Sequence, residues 1–219
     1  MISLQFGAVL VDWPLLLQGL AATAGLTAVA APLGLAVGIG CAWVRAEGPR
    51  ALCWLVAAYV ELIRNTPFIV QLFFIFFGLP SLGVRLSPEA ASVIAMVVNL
   101  GAYAAEIVRA GIEATPRGLI EAGRSLALTP LQVFGHIILP PALGRVWPAI
   151  TSQIVIVMLG SAVCGQIAAE ELSYFANLIQ SRNFRAFEAF IVATLLYLAL
   201  SVALRAILTA IGRRWLLVR

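Results

Sequence analysis

The sequence predicts an all-α, polytopic membrane protein with five transmembrane helices, its N-terminus outside and its C-terminus inside. Three observations predict it. Of the 219 residues, 62% belong to the AVILMFWYC set and 11% are charged, against about 25% charged in an ordinary soluble domain, and mean hydropathy is +1.02. The sparse charges cut the chain into uncharged stretches that reach or approach the roughly 20 apolar residues a membrane helix needs. The arginines gather on alternate loops. This composition excludes a soluble globule, a disordered tail and a nucleic-acid binder. All 14 basic residues are Arg and Lys is absent, so the chain carries no Walker A lysine, Schiff-base lysine or Ser-Lys dyad. Any energy source it uses is therefore expected to lie in a partner.

The elements follow in order. The stretch Trp13 to Val44 is uncharged and holds one long, tilted span over about 15–43, with Gly34-x-x-x-Gly38 offering a flat face for close helix packing. Gly48-Pro49 turns the chain into a second apolar stretch, about 51–79, which Glu61, Arg64 and Pro67 interrupt. It is too long for one straight crossing, and Pro67 predicts a bend. Further spans follow at about 89–110, 143–166 and 189–211. Between the third and fourth, Thr129-Pro130-Leu131-Gln132 reads as a capping box opening a short helix, which Pro140-Pro141 is expected to end. That helix is expected to lie at the membrane edge. The chain is thus read as one transmembrane domain over 1–219, with a loop at about 112–142.

With five spans, Arg45, Arg50, Arg109, Arg117, Arg124, Arg145, Arg213, Arg214 and Arg219 lie on one side and Arg85, Arg182 and Arg185 on the other. The richer side is cytoplasmic by the positive-inside rule. A sixth span over 125–144 would carry the Arg-rich tail outside, so the charges disfavour it. The N-terminus has no basic residue before Asp12 and lacks a signal-peptide n-region. Cys41, Cys53 and Cys164 form no C-x-x-C pair, and His136 is the single His. They are expected to pack as small hydrophobes, with no metal site, and His136 takes no chemical role.

Polar groups inside spans are costly and are functional candidates by default. Asn99, Tyr103 and Glu106, at i, i+4 and i+7, share one face of the third span. Two readings stand: this face lines a solute route, or Asn99 and Tyr103 hydrogen-bond across a packing seam while Glu106 pairs with Arg109. Glu61 and Arg64, at i and i+3, would neutralise one another beside the Pro67 bend. Asn65, Thr66 and Gln71 would then supply uncharged polar groups there. On the fourth span Gln153, Gly160 and Ser161 fall on one side, open to a solute or a second subunit. The segment 168–187 carries Glu170, Glu171, Arg182 and Arg185, either a solvated loop or a rim of charges that orients an external partner.

In the long inner loop, Thr115 and Pro116 are expected to cap and start a helix whose small residues Ala122, Gly123 and Ala127 form a smooth stripe. Ile137 and Leu139 give the next short helix an apolar side. Such a pair is either a docking element or an interfacial amphipathic hairpin. The run Glu121-Ala122-Gly123-x3-Ala127-x9-Ile137-x-Leu139-Pro140 resembles the E-A-A-x3-G-x9-I-x-L-P signature of the permease subunits of ABC importers. It departs at Gly123 and at Ala127, where the signature has Ala and Gly. The segments Glu61-Leu-Ile-Arg64-Asn65-Thr66-Pro67-x3-Gln71, Gly101-Ala102-Tyr103-x2-Glu106-Ile107-x-Arg109 and Arg182-Asn-Phe184-Arg185 resemble the histidine/glutamine-type, polar amino acid branch. That branch often has Lys-x-Thr-Ser-Leu where this chain reads Leu159-Gly160-Ser161-Ala162-Val163.

The resemblance implies a subunit of a bacterial inner-membrane importer of a polar amino acid, not itself an enzyme and binding no cofactor of its own. It implies a second permease subunit, identical or related, an external solute-binding protein, and an ATP-binding ABC subunit that uses ATP and Mg. Coupling to that ATPase would run through Glu121, Ala122, Gly123, Leu126, Ala127, Leu128, Ile137, Leu139 and Pro140. The other class left open is an ion-coupled secondary carrier of a small polar solute, for which buried carboxylates are scarce. A membrane enzyme lacks any constellation that would activate a nucleophile.

Overall fold

The computed structural model describes residues 4–215, and every regular element among them is helical. A short α1 (Gly7–Leu10) leads into α2 (Trp13–Glu47), whose 35 residues rise about 52 Å. Then come α3 (Arg50–Arg64), α4 (Phe68–Phe73), α5 (Pro88–Glu113), α6 (Arg117–Ser125), α7 (Pro130–Gln132), α8 (Leu139–Gly160), α9 (Leu172–Asn183) and α10 (Ala186–Trp215). Among the described residues, four helical stretches are long and apolar enough to cross a membrane: Trp13–Glu47, Pro88–Glu113, Pro130–Ile167 and Ala186–Arg214. The remaining apolar stretch is a pair, Arg50–Arg64 and Phe68–Leu82, bent by 112° at the expected place. Pro67 has no N–H to continue the ladder, and the carbonyls it frees are taken up locally. Thr66 Oγ1 lies 2.8 Å from Leu62 O and 3.4 Å from Ile63 O, the carbonyl that an N–H at position 67 would have met.

Thr129 forms the expected capping box with Gln132, but Pro140-Pro141 does not end the helix. It runs on from Pro130 to Ile167. A π turn at Val133–Ile138 precedes α8, which places both prolines in the first turn of the α-helical stretch. The wider π turn before them relieves the clash of the rings with preceding carbonyls. The segment expected as a separate helix at the membrane edge is therefore the first part of the fourth long helix.

Two compact units divide the chain. The first holds residues up to Ala31, Pro67–Met96 and Val155–Leu204; the second holds Pro32–Thr66, Val97–Ile154 and the chain from Arg205 on. In the first, one core joins Val9, Leu16, Leu172, Ala176, Ile179 and Ala189. Another joins Leu72, Ala91, Ala95, Cys164 and Ile167, so Cys164 does pack as a small hydrophobe. Glu171, fully buried, caps α9: its carboxylate accepts from the N–H of Ser173 and Tyr174 and from the hydroxyls of Ser173 and Tyr197. It is thus not one of the exposed rim charges expected of this segment, because α9 needs it as an N-cap.

In the second unit the Gly34-x-x-x-Gly38 face packs as its spacing suggests. A Cβ on Gly34 would stand 2.8 Å from Leu100 Cβ, and one on Gly38 2.5 Å from Ala104 Cβ. These close approaches seat α2 on α5. Tyr59 adds a hydrogen bond from its hydroxyl to Val98 O at 2.6 Å. Trp147 Nε1 donates to Leu208 O at 2.8 Å, with its ring lying over the bare Gly212.

Candidate functional site

The hairpin α6–α7 is built on a small apolar core. Val133, Phe134 and Ile138 are buried, and Ile39, Ile112, Ile120, Leu128 and Leu139 pack against them. Trp43 stacks at a tilt on Phe134, ring centroids 6.5 Å apart, so the ends of α2 and α5 form the seat. Arg145 donates to Ala114 O, satisfying a carbonyl at the C-terminal end of α5. Thr115 was expected to cap α6; its hydroxyl instead donates back to Gly111 O at 3.2 Å, and α6 begins at Arg117.

The small-residue stripe does not form. Gly123 is buried against the second arm, where a Cβ would lie 2.4 Å from Ile137 Cδ1. Ala127 lies beyond the end of α6 with φ 55°, the left-handed conformation that commonly closes a helix and that glycine adopts most cheaply. The helix is too short for residues 123 and 127 to stack. Of the coupling candidates, Gly123, Leu128, Ile137 and Leu139 therefore form or flank the hairpin's interior, while Glu121, Ala122, Leu126, Ala127 and Pro140 are exposed. Leu126 is 74% exposed and Leu131 is 63% exposed, an apolar tip presented outward.

A left-handed Ala costs roughly 1–2 kcal/mol relative to glycine. Ala127→Gly is therefore expected to stabilise the hairpin by about 1 kcal/mol, read as slower amide exchange over 119–127 in the detergent-solubilised chain. Faster exchange would contradict the left-handed assignment.

Beside this seat, Glu106 of α5 gathers three guanidinium groups. It pairs with Arg45 of α2, accepts from Arg109 Nη2 at 2.8 Å and Nε at 3.2 Å, and lies 3.9 Å from Arg64 Nη1 of α3. Arg109 also reaches Glu113. Arg64 was expected to neutralise Glu61, and the structure corrects this. Its guanidinium lies 5.6 Å above the Tyr103 ring and pairs with Glu106, while the Glu61 carboxylate accepts from Asn65 Nδ2 at 2.8 Å. Glu106 is more buried than the exposed Glu61, so water screens its attraction for Arg64 less, and the Tyr103 ring beneath the guanidinium adds to it.

Asn99, Tyr103 and Glu106 are half-buried on one face of α5, and Gln153 is half-buried on α8. Gln71 and Ser161 belong to the first unit and are buried there; Ser161 Oγ donates to Met158 O at 2.7 Å.

Comparison with known proteins decides the family. Residues 13–217 match the family described as binding-protein-dependent transport system inner membrane component. The chain belongs to this permease family. This permease is 37% identical over 77% of its length to a probable glutamine ABC transporter permease protein, GlnM of Bacillus subtilis, covering 78% of that protein. It is 32% identical to the glutamine transport system permease protein GlnP of Escherichia coli, covering 92% of this chain and 93% of that one. A solved amino acid ABC transporter with histidines superposes with a TM-score of 0.85 at 31% identity, over 97% of this chain and 100% of that chain. The permease is a non-catalytic, membrane-integral subunit of an importer.

Sequence reasoning missed Arg45 as a partner of Glu106, and Ile39 and Trp43 as the seat of the hairpin. Neither contact has a local spacing to betray it. One sign lay in the sequence: an Arg and a Trp close to the end of an otherwise apolar span.

Proposed function

We propose that this permease imports a polar amino acid across a bacterial inner membrane, forming half of a pathway completed by an identical or related second permease. An external binding protein delivers the solute. The single domain crosses the membrane five times, the bent pair α3–α4 counting as the second span, with the N-terminus outside and the C-terminus inside. An ATP-binding ABC subunit, using ATP and Mg, docks on the hairpin from the cytoplasm. Asn99, Tyr103 and Gln153 line the solute route, and Glu106 holds its inner end.

The carrying observation is the exposed tip formed by Glu121, Ala122, Leu126 and Leu131 on a firmly seated base. A tip of this kind passes a push from a partner into α2 and α5 because its interior is packed and has one arrangement. An ion-coupled carrier would need a carboxylate free to load a proton or Na⁺, but Glu106 is held by Arg45 and Arg109 and Glu171 by its capping donors.

Co-purification with the ATP-binding subunit tests the reading. Glu121→Arg and Leu126→Asp touch only the exposed tip, so both are expected to release the ATPase and abolish ATP-driven uptake while thermal unfolding stays unchanged. Retention of the ATPase by both variants would overturn it. Gly123 is unsuited to this test, since any side chain there disrupts the hairpin itself.

A further inference from the structure

α10 is the least embedded of the long helical stretches: 11% of its apolar part is buried, against 28% or more in each of the others. It nevertheless carries an arginine on its open side. Arg205 is exposed and has no ion pair or hydrogen bond among the described residues, and a guanidinium keeps its charge in any protein setting. The helix stays apolar beyond it. Ile207 and Ile211 are exposed, and the next charged residue, Arg213, comes about 12 Å further along the axis. Arg205 therefore lies inside the apolar surface of a spanning helix, where a charge is costly until an anion meets it.

The neighbouring chain supplies no such anion. After Glu188 the sequence has no acidic residue, and α8, which packs Trp147 on this part of α10, has none. It does supply a second polar group. Thr209 follows Arg205 by one turn on the same face. Earlier in α10, Thr194 Oγ1 donates to Phe190 O at 2.7 Å and Ser201 Oγ to Leu198 O at 2.8 Å. Thr209 is exposed and makes no hydrogen bond among the described residues. Arg213 extends the strip by a further turn, and the Trp147 ring over Gly212 walls one side of it. Guanidinium groups before and after a free hydroxyl suit a phosphate, which accepts two parallel bonds from a guanidinium.

A lipid or a second protein could bring an anion to this depth. An identical permease, related by a two-fold axis along the membrane normal, would set its own Arg205 at the same height, so this face would meet like charge. Arg205, Arg213 and Arg214, with no acid among them, instead favour a headgroup of net negative charge. We propose that Arg205, Thr209 and Arg213 hold the phosphate group of an anionic phospholipid. Such a site goes beyond the importer reading and needs only that α10 lies in the bilayer.

The test is native mass spectrometry of the permease complex, purified in a neutral detergent and titrated with phosphatidylglycerol or phosphatidylcholine. Phosphatidylglycerol is expected to fill one saturable site ahead of phosphatidylcholine. Arg205→Gln is expected to raise its half-saturating concentration about fivefold, and Thr209→Val to raise it less. Arg214→Gln removes the same charge half a turn round the helix from Arg205, and is expected to leave the site unchanged. Because Arg205 and Thr209 have no partner to lose, the unfolding transition without added lipid should not move in either variant. Equal weakening by Arg205→Gln and Arg214→Gln would reduce the site to diffuse attraction and overturn it. So would equal filling by phosphatidylcholine, or displacement of the lipid by inorganic phosphate, which would mark a site for a free anion. Dissociation of the paired permeases by Arg205→Gln, with lipid binding intact, would assign the anion to a second permease and equally overturn the proposal.

Discussion

Glu171→Ala is expected to destabilise the chain by about 3 kcal/mol or more, seen as a lowered thermal transition in detergent. Three losses combine. The first turn of α9 loses its cap, worth about 1 kcal/mol, and the N–H groups of Ser173 and Tyr174 are left without an acceptor. The Tyr197 hydroxyl from α10 loses the same carboxylate, at about 1–3 kcal/mol for a buried group left unsatisfied. A void then opens between α9 and α10, because Glu171 is fully buried. Glu171→Gln should lose less, since one acceptor oxygen survives while the new NH₂ faces donors. The exposed Glu170 supplies the control. Equal transitions for Glu170→Ala and Glu171→Ala would show that the cap contributes nothing.

The helical stretches were legible because bilayer chemistry leaves a coarse record: long apolar runs, arginines at their ends, prolines and glycines at the breaks. Gly34 and Gly38 announced a close helix contact, and Thr129-Pro130-Leu131-Gln132 announced a cap, since both depend on neighbours in sequence. Three readings failed where the third dimension decides. Pro140-Pro141 ends an α-helix but not one that enters through a π turn. Arg64 has a carboxylate three residues away in Glu61, yet Glu106, distant in sequence, is more buried and lies beside the Tyr103 ring on which Arg64 rests. Gly123 and Ala127 look like a stripe only if α6 continues, and it stops at Ser125. In the hairpin the residue types that mattered were visible, while their division between an interior and an exposed tip was not.

Removing the carboxylate of Glu106 is expected to cost about 2 kcal/mol, because Arg45, Arg64 and Arg109 are then left facing one another with only Glu113 on Arg109. A fully buried unpaired charge costs more, about 3–5 kcal/mol. Here the arginine side chains are 28%, 40% and 33% exposed, so water screens part of the repulsion. The electrostatic origin has a signature that a packing role would lack. In Glu106→Ala/Arg45→Ala, removing the neighbouring cation should restore roughly 1 kcal/mol, a non-additivity typical of groups in one network. Strict additivity of the two single losses would mean that Glu106 acts only by filling space. The consequence reaches the hairpin. Arg45 follows Trp43 on α2, and Trp43 packs on Phe134 within the hairpin's seat, so freeing Arg45 loosens the surface against which the exposed tip bears. Glu106→Ala should therefore lower ATP-driven uptake more than it lowers co-purification of the ATPase. The tip would still dock, but its movement would no longer be passed through a rigid base to α2, α3 and α5.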